Sequence, residues 1–153
     1  MREFIHVNYP MACEWQQVYL FASNPKNLPL WASGLAQSYP EPTNELHSSW
    51  NRWKLESPAG PITLDFAAPN PWGILDHSIQ LGDGQKVYVP MRVIPLANHE
   101  SLVVFTLFRQ PGMSDYQFAA DADWVRQDLQ RLENQVLARL EKATSLRAKT
   151  QQS

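Results

Sequence analysis

The sequence predicts an α+β fold: a bent antiparallel sheet of about six or seven strands wrapped around one long C-terminal helix, with two short helices after the first strand. Three observations predict it. The middle of the chain, residues 35–110, is a succession of strand-sized segments punctuated by Pro, Gly and Asn. From about Phe118 to Leu146 the pattern becomes that of a single amphipathic helix. One strand and two helical segments precede both.

Residues 2–9, REFIHVNY, alternate as a strand, with Ile5, Val7 and Tyr9 on one side, and Pro10 is expected to end it. Between Met11 and Ala22, Cys13, Trp15, Val18, Tyr19 and Ala22 recur at helical spacing. Asn24 is an N-cap and Pro25 suits the first helical position of a second short helix carrying Leu28, Leu30 and Trp31 and ending near Gly34. Strands are expected at 35–39, 46–56, 61–67, 73–81, 85–95 and 100–110, joined by turns at Pro58–Pro61, Leu81–Gly84 and Leu96–His99, so neighbours pair antiparallel. In the last segment Val125, Leu129, Leu132, Val136 and Leu140 form one stripe, with Asp121, Asp123 and Asp128 early and Arg139, Lys142 and Arg147 late, as the helix dipole favours. At 1.5 Å per residue this helix would be about 40 Å long. Residues 1–147 form a single domain in this reading, and 148–153 a polar tail expected to fray.

Strand parity sorts the side chains. Inward sets are Asn51, Trp53 and Leu55; Ile62, Leu64 and Phe66; Leu75, His77, Ile79 and Leu81; and Val87, Val89, Met91 and Val93. Arg52, Lys54, Asp65, Asp76 and Arg92 fall together on the convex, wet face, where their alternating signs make cross-strand pairs. Asp76 and His77, adjacent on one strand, point to opposite faces and cannot form a dyad directly. Strand 100–110 can face either way, with Val103, Phe105, Leu107 and Arg109 competing against Leu102, Val104, Thr106 and Phe108.

Composition excludes several classes. A net charge of −2, with 13 basic and 15 acidic residues and no run of like charges, gives no electrostatic reason to expect nucleic acid or an anionic membrane as partner. Cys13 is the sole cysteine, so no intrachain disulfide forms, and it reads as a small core residue rather than a nucleophile. His6, His47, His77 and His99 lack metal-like spacing, and no G-x-S-x-G, P-loop or dinucleotide fingerprint is present. Glu3 and His6 interrupt any signal-peptide core, and no window approaches 18 apolar residues. A soluble, cytoplasmic protein without membrane insertion is expected.

Four stretches carry a family resemblance: NPKNLPLWASGL at 24–35, GILDH at 73–77, VYVPMRVIP at 87–95 and VVFTLFRQPGMSDYQFAADADWVRQDLQRL at 103–132. With the element order, they resemble the helix-grip superfamily of START-like and polyketide cyclase-like proteins (SRPBCC) over nearly the whole chain. The likeness is to a bacterial polyketide cyclase/dehydratase-like subgroup, and to the aromatase/cyclases in layout. The resemblance implies a deep pocket for a hydrophobic small molecule, with no obligatory metal or organic cofactor, and it implies no particular reaction.

The candidate ligand-binding residues are Trp31, Asn51, Trp53, His77, Met91, Phe105 and Arg109. His77 could serve as an acid/base or bond a ligand carbonyl, against the alternative of a structural histidine with a satisfied hydrogen bond. Trp31 and Trp53 could stack on a flat ligand or simply pack the core. Arg109 could hold a ligand carboxylate, or pair with an acid such as Asp115 at the strand end. Three functions compete: a binding protein for an aromatic or lipid-like molecule, a polyketide cyclase/dehydratase-like enzyme using His77, and a homodimeric interaction protein presenting Trp50, Tyr88 and Pro90. The enzyme reading needs at least two polar groups converging in the pocket.

Overall fold

The computed structural model describes residues 1–47, 50–58 and 60–152, with 44–47 and 50 described as backbone alone. β1 (Phe4–Met11) leads into α1 (Trp15–Ala22), a 3₁₀ turn at Pro25–Asn27, α2 (Leu28–Trp31) and a second 3₁₀ turn at Ser33–Leu35. There follow β2 (Tyr39–His47), β3 (Trp50–Ser57), β4 (Gly60–Ala67), β5 (His77–Gln80), β6 (Lys86–Val89), β7 (Met91–Pro95) and β8 (Ser101–Phe108), then α3 (Asp115–Gln151). The architecture is α+β, a bent antiparallel sheet of eight strands among the described residues, wrapped around the long C-terminal helix.

Two ladders make the sheet, in the orders β1-β8-β7 and β2-β3-β4-β5-β6. The run before β5 joins them. Ile74 bridges Arg92, Leu75 N donates to Met91 O at 2.9 Å and Val93 N to Gly73 O at 3.0 Å, while Asp76 O accepts from Ala67 N at 2.8 Å. β1 and β2 are therefore the outermost strands. Gly73 makes the junction feasible: its φ is +71°, and a Cβ there would lie 2.3 Å from Val93 O.

Prolines explain most departures from the expected elements. β1 runs through Pro10 to Met11, and β2 contains Pro40 and Pro42, because a missing N–H on the outward side of an edge strand removes no ladder bond. Residues 33–35 form a 3₁₀ turn, so the strand expected at 35–39 instead starts at Tyr39. The strand expected at 85–95 is divided at Pro90, whose carbonyl accepts from Thr106 N at 2.9 Å. α3 starts before Phe118 because Ser114 and Gln117 form a capping box, Ser114 Oγ accepting from Gln117 N at 3.1 Å and Gln117 Oε1 from Ser114 N at 2.9 Å. It continues through Gln151, past the expected end near Leu146, making 37 residues and about 55 Å.

The division at Pro90 also changes the fate of Asp76, which was expected on the wet face. Arg52 and Asp65 do pair across β3 and β4 at 2.7 Å, in register, and Lys54 is exposed. Asp76, however, is buried. It accepts from Met91 N at 2.9 Å and from the Tyr88 hydroxyl at 3.2 Å, and it pairs with Arg92. Where the chain bends between β6 and β7, the Met91 N–H has left the ladder, and the Asp76 carboxylate supplies its acceptor.

The concave side is unequally filled. Leu129, Leu132 and Val136 of α3 and Val18 and Ala22 of α1 pack on Val7, Met91, Val93 and Val103, all buried, so the region under β1, β7 and β8 is a solid core. Each such side chain contributes roughly 1.5–3 kcal/mol by leaving water. Under β4, β5 and β6, where α2 and the first turns of α3 form the roof, space remains.

A candidate ligand cavity

That space is a cavity of about 420 Å³. Its floor is Ile62 and Leu64 of β4, His77 and Ile79 of β5, Val87 and Val89 of β6, and Phe105 of β8. Its roof is Leu28, Trp31 and Leu35 with Trp124 and Val125 of α3, and Asp128 and the exposed Leu81 lie on its margin. Strand parity placed the floor residues correctly, because burial on one side of a pleated sheet is a local, period-two property. Strand 101–108 resolves the same way, with Val103 and Phe105 inward.

His77 is held from three sides. Its Nδ1 donates to Leu75 O at 2.9 Å, its ring lies parallel to Phe66 with centroids 5.4 Å apart, and Phe105 approaches edge-on at 6.5 Å. A carbonyl only accepts, so Nδ1 carries the proton and the neutral ring presents Nε2 as an acceptor. Burial holds the imidazole pKa below its ordinary 6.5, with the Leu75 bond opposing it less strongly. In its neutral form His77 therefore offers an acceptor, not a donor, at Nε2. Its Nε2 bonds no described residue.

The other polar groups of the wall fall into two kinds. Ser57 Oγ donates to Gly60 O at 2.7 Å, and at the margin Asp128 Oδ1 accepts from Ser33 Oγ at 2.8 Å, Ser33 N at 3.2 Å and Arg131 at 2.5 Å, while the Trp124 indole donates to Ser33 Oγ. These are satisfied. Trp31 is different: its Nε1 is buried with no hydrogen-bond partner among the described residues. Among the described residues no Lys or Arg lines the cavity.

Of the seven candidate residues, Trp31, His77 and Phe105 line this cavity and four do not. Asn51 shares its face with Trp53 and Leu55 but is exposed, burial rising along β3 from Asn51 through half-buried Trp53 to buried Leu55. Trp53 packs against the core beside the cavity. Met91 is inward but lies in the filled region under β7. Arg109 is at the end of β8, pairing with Glu3 at 2.9 Å and Asp115 at 2.7 Å, donating to Met113 O and covering the Phe118 ring. It ties the first strand to the start of α3. Trp124, Asp128 and Ser33 were missed, because contacts spanning 91 to 95 residues leave no local signal. Of the residues expected on a dimer patch, Tyr88 is exposed but bonded to Asp76, Pro90 is half-buried, and the Trp50 side chain lies outside the described residues.

Tyrosines do not enter the cavity either: Tyr9 donates to Glu133, the Tyr19 hydroxyl accepts from Asn70 N at 2.8 Å, and Tyr88 faces Asp76. Among the described residues no cluster of His, Cys, Asp and Glu could hold a metal ion, and no helix is long and apolar enough to cross a membrane.

No protein-family model and no curated protein matches the sequence. Solved structures do match in shape. A START superfamily protein from Mycobacterium smegmatis superimposes with a TM-score of 0.61 at 14% identity, over 88% of this chain and 97% of the other. Ara h 8.0201 gives 0.66 at 12% identity, over 90% and 99%. The Zhui aromatase/cyclase from Streptomyces sp. R1128 gives 0.60 at 12% identity, over 94% and 96%. At such identities the likeness speaks for the fold, and it agrees with the element order. The chain has the START-like helix-grip fold of the SRPBCC type.

Proposed function

We propose that the protein binds a hydrophobic small molecule, aromatic or lipid-like, between the sheet and α3. The observation that carries this reading is the cavity itself: about 420 Å³, walled by apolar and aromatic side chains, with His77 as one inward polar group. Its volume falls within the roughly 300–1,000 Å³ typical of small-molecule sites. Trp31, His77 and Phe105 are the residues this reading assigns to the ligand.

A cyclase-like reaction, of the kind for which the Zhui aromatase/cyclase is named, has less support here. Such chemistry needs a second polar group opposite His77, and Arg109 and the tyrosines are engaged elsewhere. The neutral imidazole, its basicity lowered by burial, is better suited to selecting a ligand than to driving proton transfer.

Native mass spectrometry of the freshly purified protein, with fluorescence titration of the neutral probe N-phenyl-1-naphthylamine, tests the proposal. Wild type should carry or take up one apolar molecule, and Ile79→Trp, which fills the cavity, should lose it while still melting cooperatively. An empty wild-type protein that leaves the probe in water, or a filled variant that binds as well as wild type, would defeat the reading.

A further inference from the structure

Resting on the reading of the cavity as a binding site, the structure assigns its occupant a narrower chemistry. We infer that the ligand is an uncharged, hydroxylated molecule such as a phenol or alcohol, whose O–H donates to His77 Nε2. Two features of the wall carry this.

The first is the fixed direction of the histidine. Leu75 O, 2.9 Å from Nδ1, holds the ring proton on the backbone side, and turning the imidazole over would break that bond, while the parallel Phe66 ring fixes the plane in which it lies. Nε2 makes no hydrogen bond to a described residue, so the deep end of the cavity offers a lone pair and asks for a donor. The second is charge. Among the described residues the wall contains no Lys or Arg, its acid Asp128 stands at the margin, and a carboxylate entering would meet a lone pair and a nearby anion. Burying an uncompensated charge is far more costly than burying a hydroxyl, so anionic ligands are excluded.

Calorimetric titration of the full chain with three flat probes separates the possibilities. 2-Naphthol should bind about five- to tenfold more tightly than 2-methoxynaphthalene, the size of one neutral hydrogen bond. 2-Naphthoate at neutral pH should bind more weakly than either. His77→Phe, which keeps an aromatic ring on Phe66, should equalise naphthol and its methyl ether. The wild-type comparison alone decides the matter even where a variant fails to fold. If the naphthol and its ether bind alike, or naphthoate binds best, the inference is overturned while the binding-site reading stands; if no probe binds, both fall.

Discussion

Replacing Asp76 by Ala tests how the sheet is held together at its bend. The substitution strips the buried Met91 N–H of its acceptor, which costs about 1–3 kcal/mol for an unsatisfied buried donor. It also frees Arg92, but that side chain is 41% exposed and rehydrates, so the lost pair adds no more than about 1 kcal/mol. A total near 2–3 kcal/mol follows. For 153 residues the unfolding entropy is about 0.3 kcal/mol/K, so Tm should fall by about 6–9 °C. Asp76→Asn keeps an oxygen where Met91 N needs one and should lose less than half as much. Thermal unfolding followed by far-ultraviolet circular dichroism at neutral pH reads both. An Ala variant within 2 °C of wild type, or an Asn variant as damaged as the Ala variant, would show that the carboxylate does not serve as the missing ladder partner.

Other expectations follow from the same geometry. Gly73→Ala should cost about 2–5 kcal/mol in denaturant unfolding, combining the left-handed backbone with a clash on Val93 O; Gly84→Ala, at φ +86° with open space around it, should cost about 1–2 kcal/mol. Equal losses would contradict the close approach at residue 73. The Cys13 thiol, pushed up to about 11 by burial and then by Glu133, should resist a disulfide reagent at pH 8 in the folded protein and react fully in denaturant. Rapid reaction of the folded protein would show that Cys13 is not buried in the core. His77 takes up a proton below pH 6.5 more readily when unfolded than when folded, so the unfolded chain binds more protons there. Stability should therefore decline as pH drops from about 6.5 toward the depressed folded pKa, and His77→Phe should flatten that slope; an unchanged slope would place the acid sensitivity elsewhere.

Much of this architecture is legible in the sequence, because its signals are local and periodic. The stripe from Val125 to Leu140 identifies α3, and alternation in 61–67 and 85–95 identifies which side chains line the concave face. Parity reports a face but not a depth. Asn51 and Leu55 have the same parity, yet the first is exposed and the second buried, because only the second lies beneath covering elements. Met91 and Val89 also share a face, but α1 fills the space over one and leaves the other beside the cavity. Asp76 escaped for a third reason: its burial follows from a kink at Pro90, fourteen residues away in sequence and adjacent in space. Ser114 and Gln117, by contrast, were a readable start signal for α3.

The two outermost strands have a consequence for the protein in a crowded solution. An open sheet ordinarily ends in rows of unpaired N–H and C=O groups that can template another chain. Here β1 carries Pro10, and β2 carries Pro40 and Pro42 with a register shift between Pro42 and Leu46. Each proline deletes a donor, and the irregularity in β2 interrupts the straight edge a neighbour would need. The prolines that hid the end of β1 and most of β2 from a reading of the sequence are thus the ones that guard a wide, bent sheet against edge-to-edge aggregation.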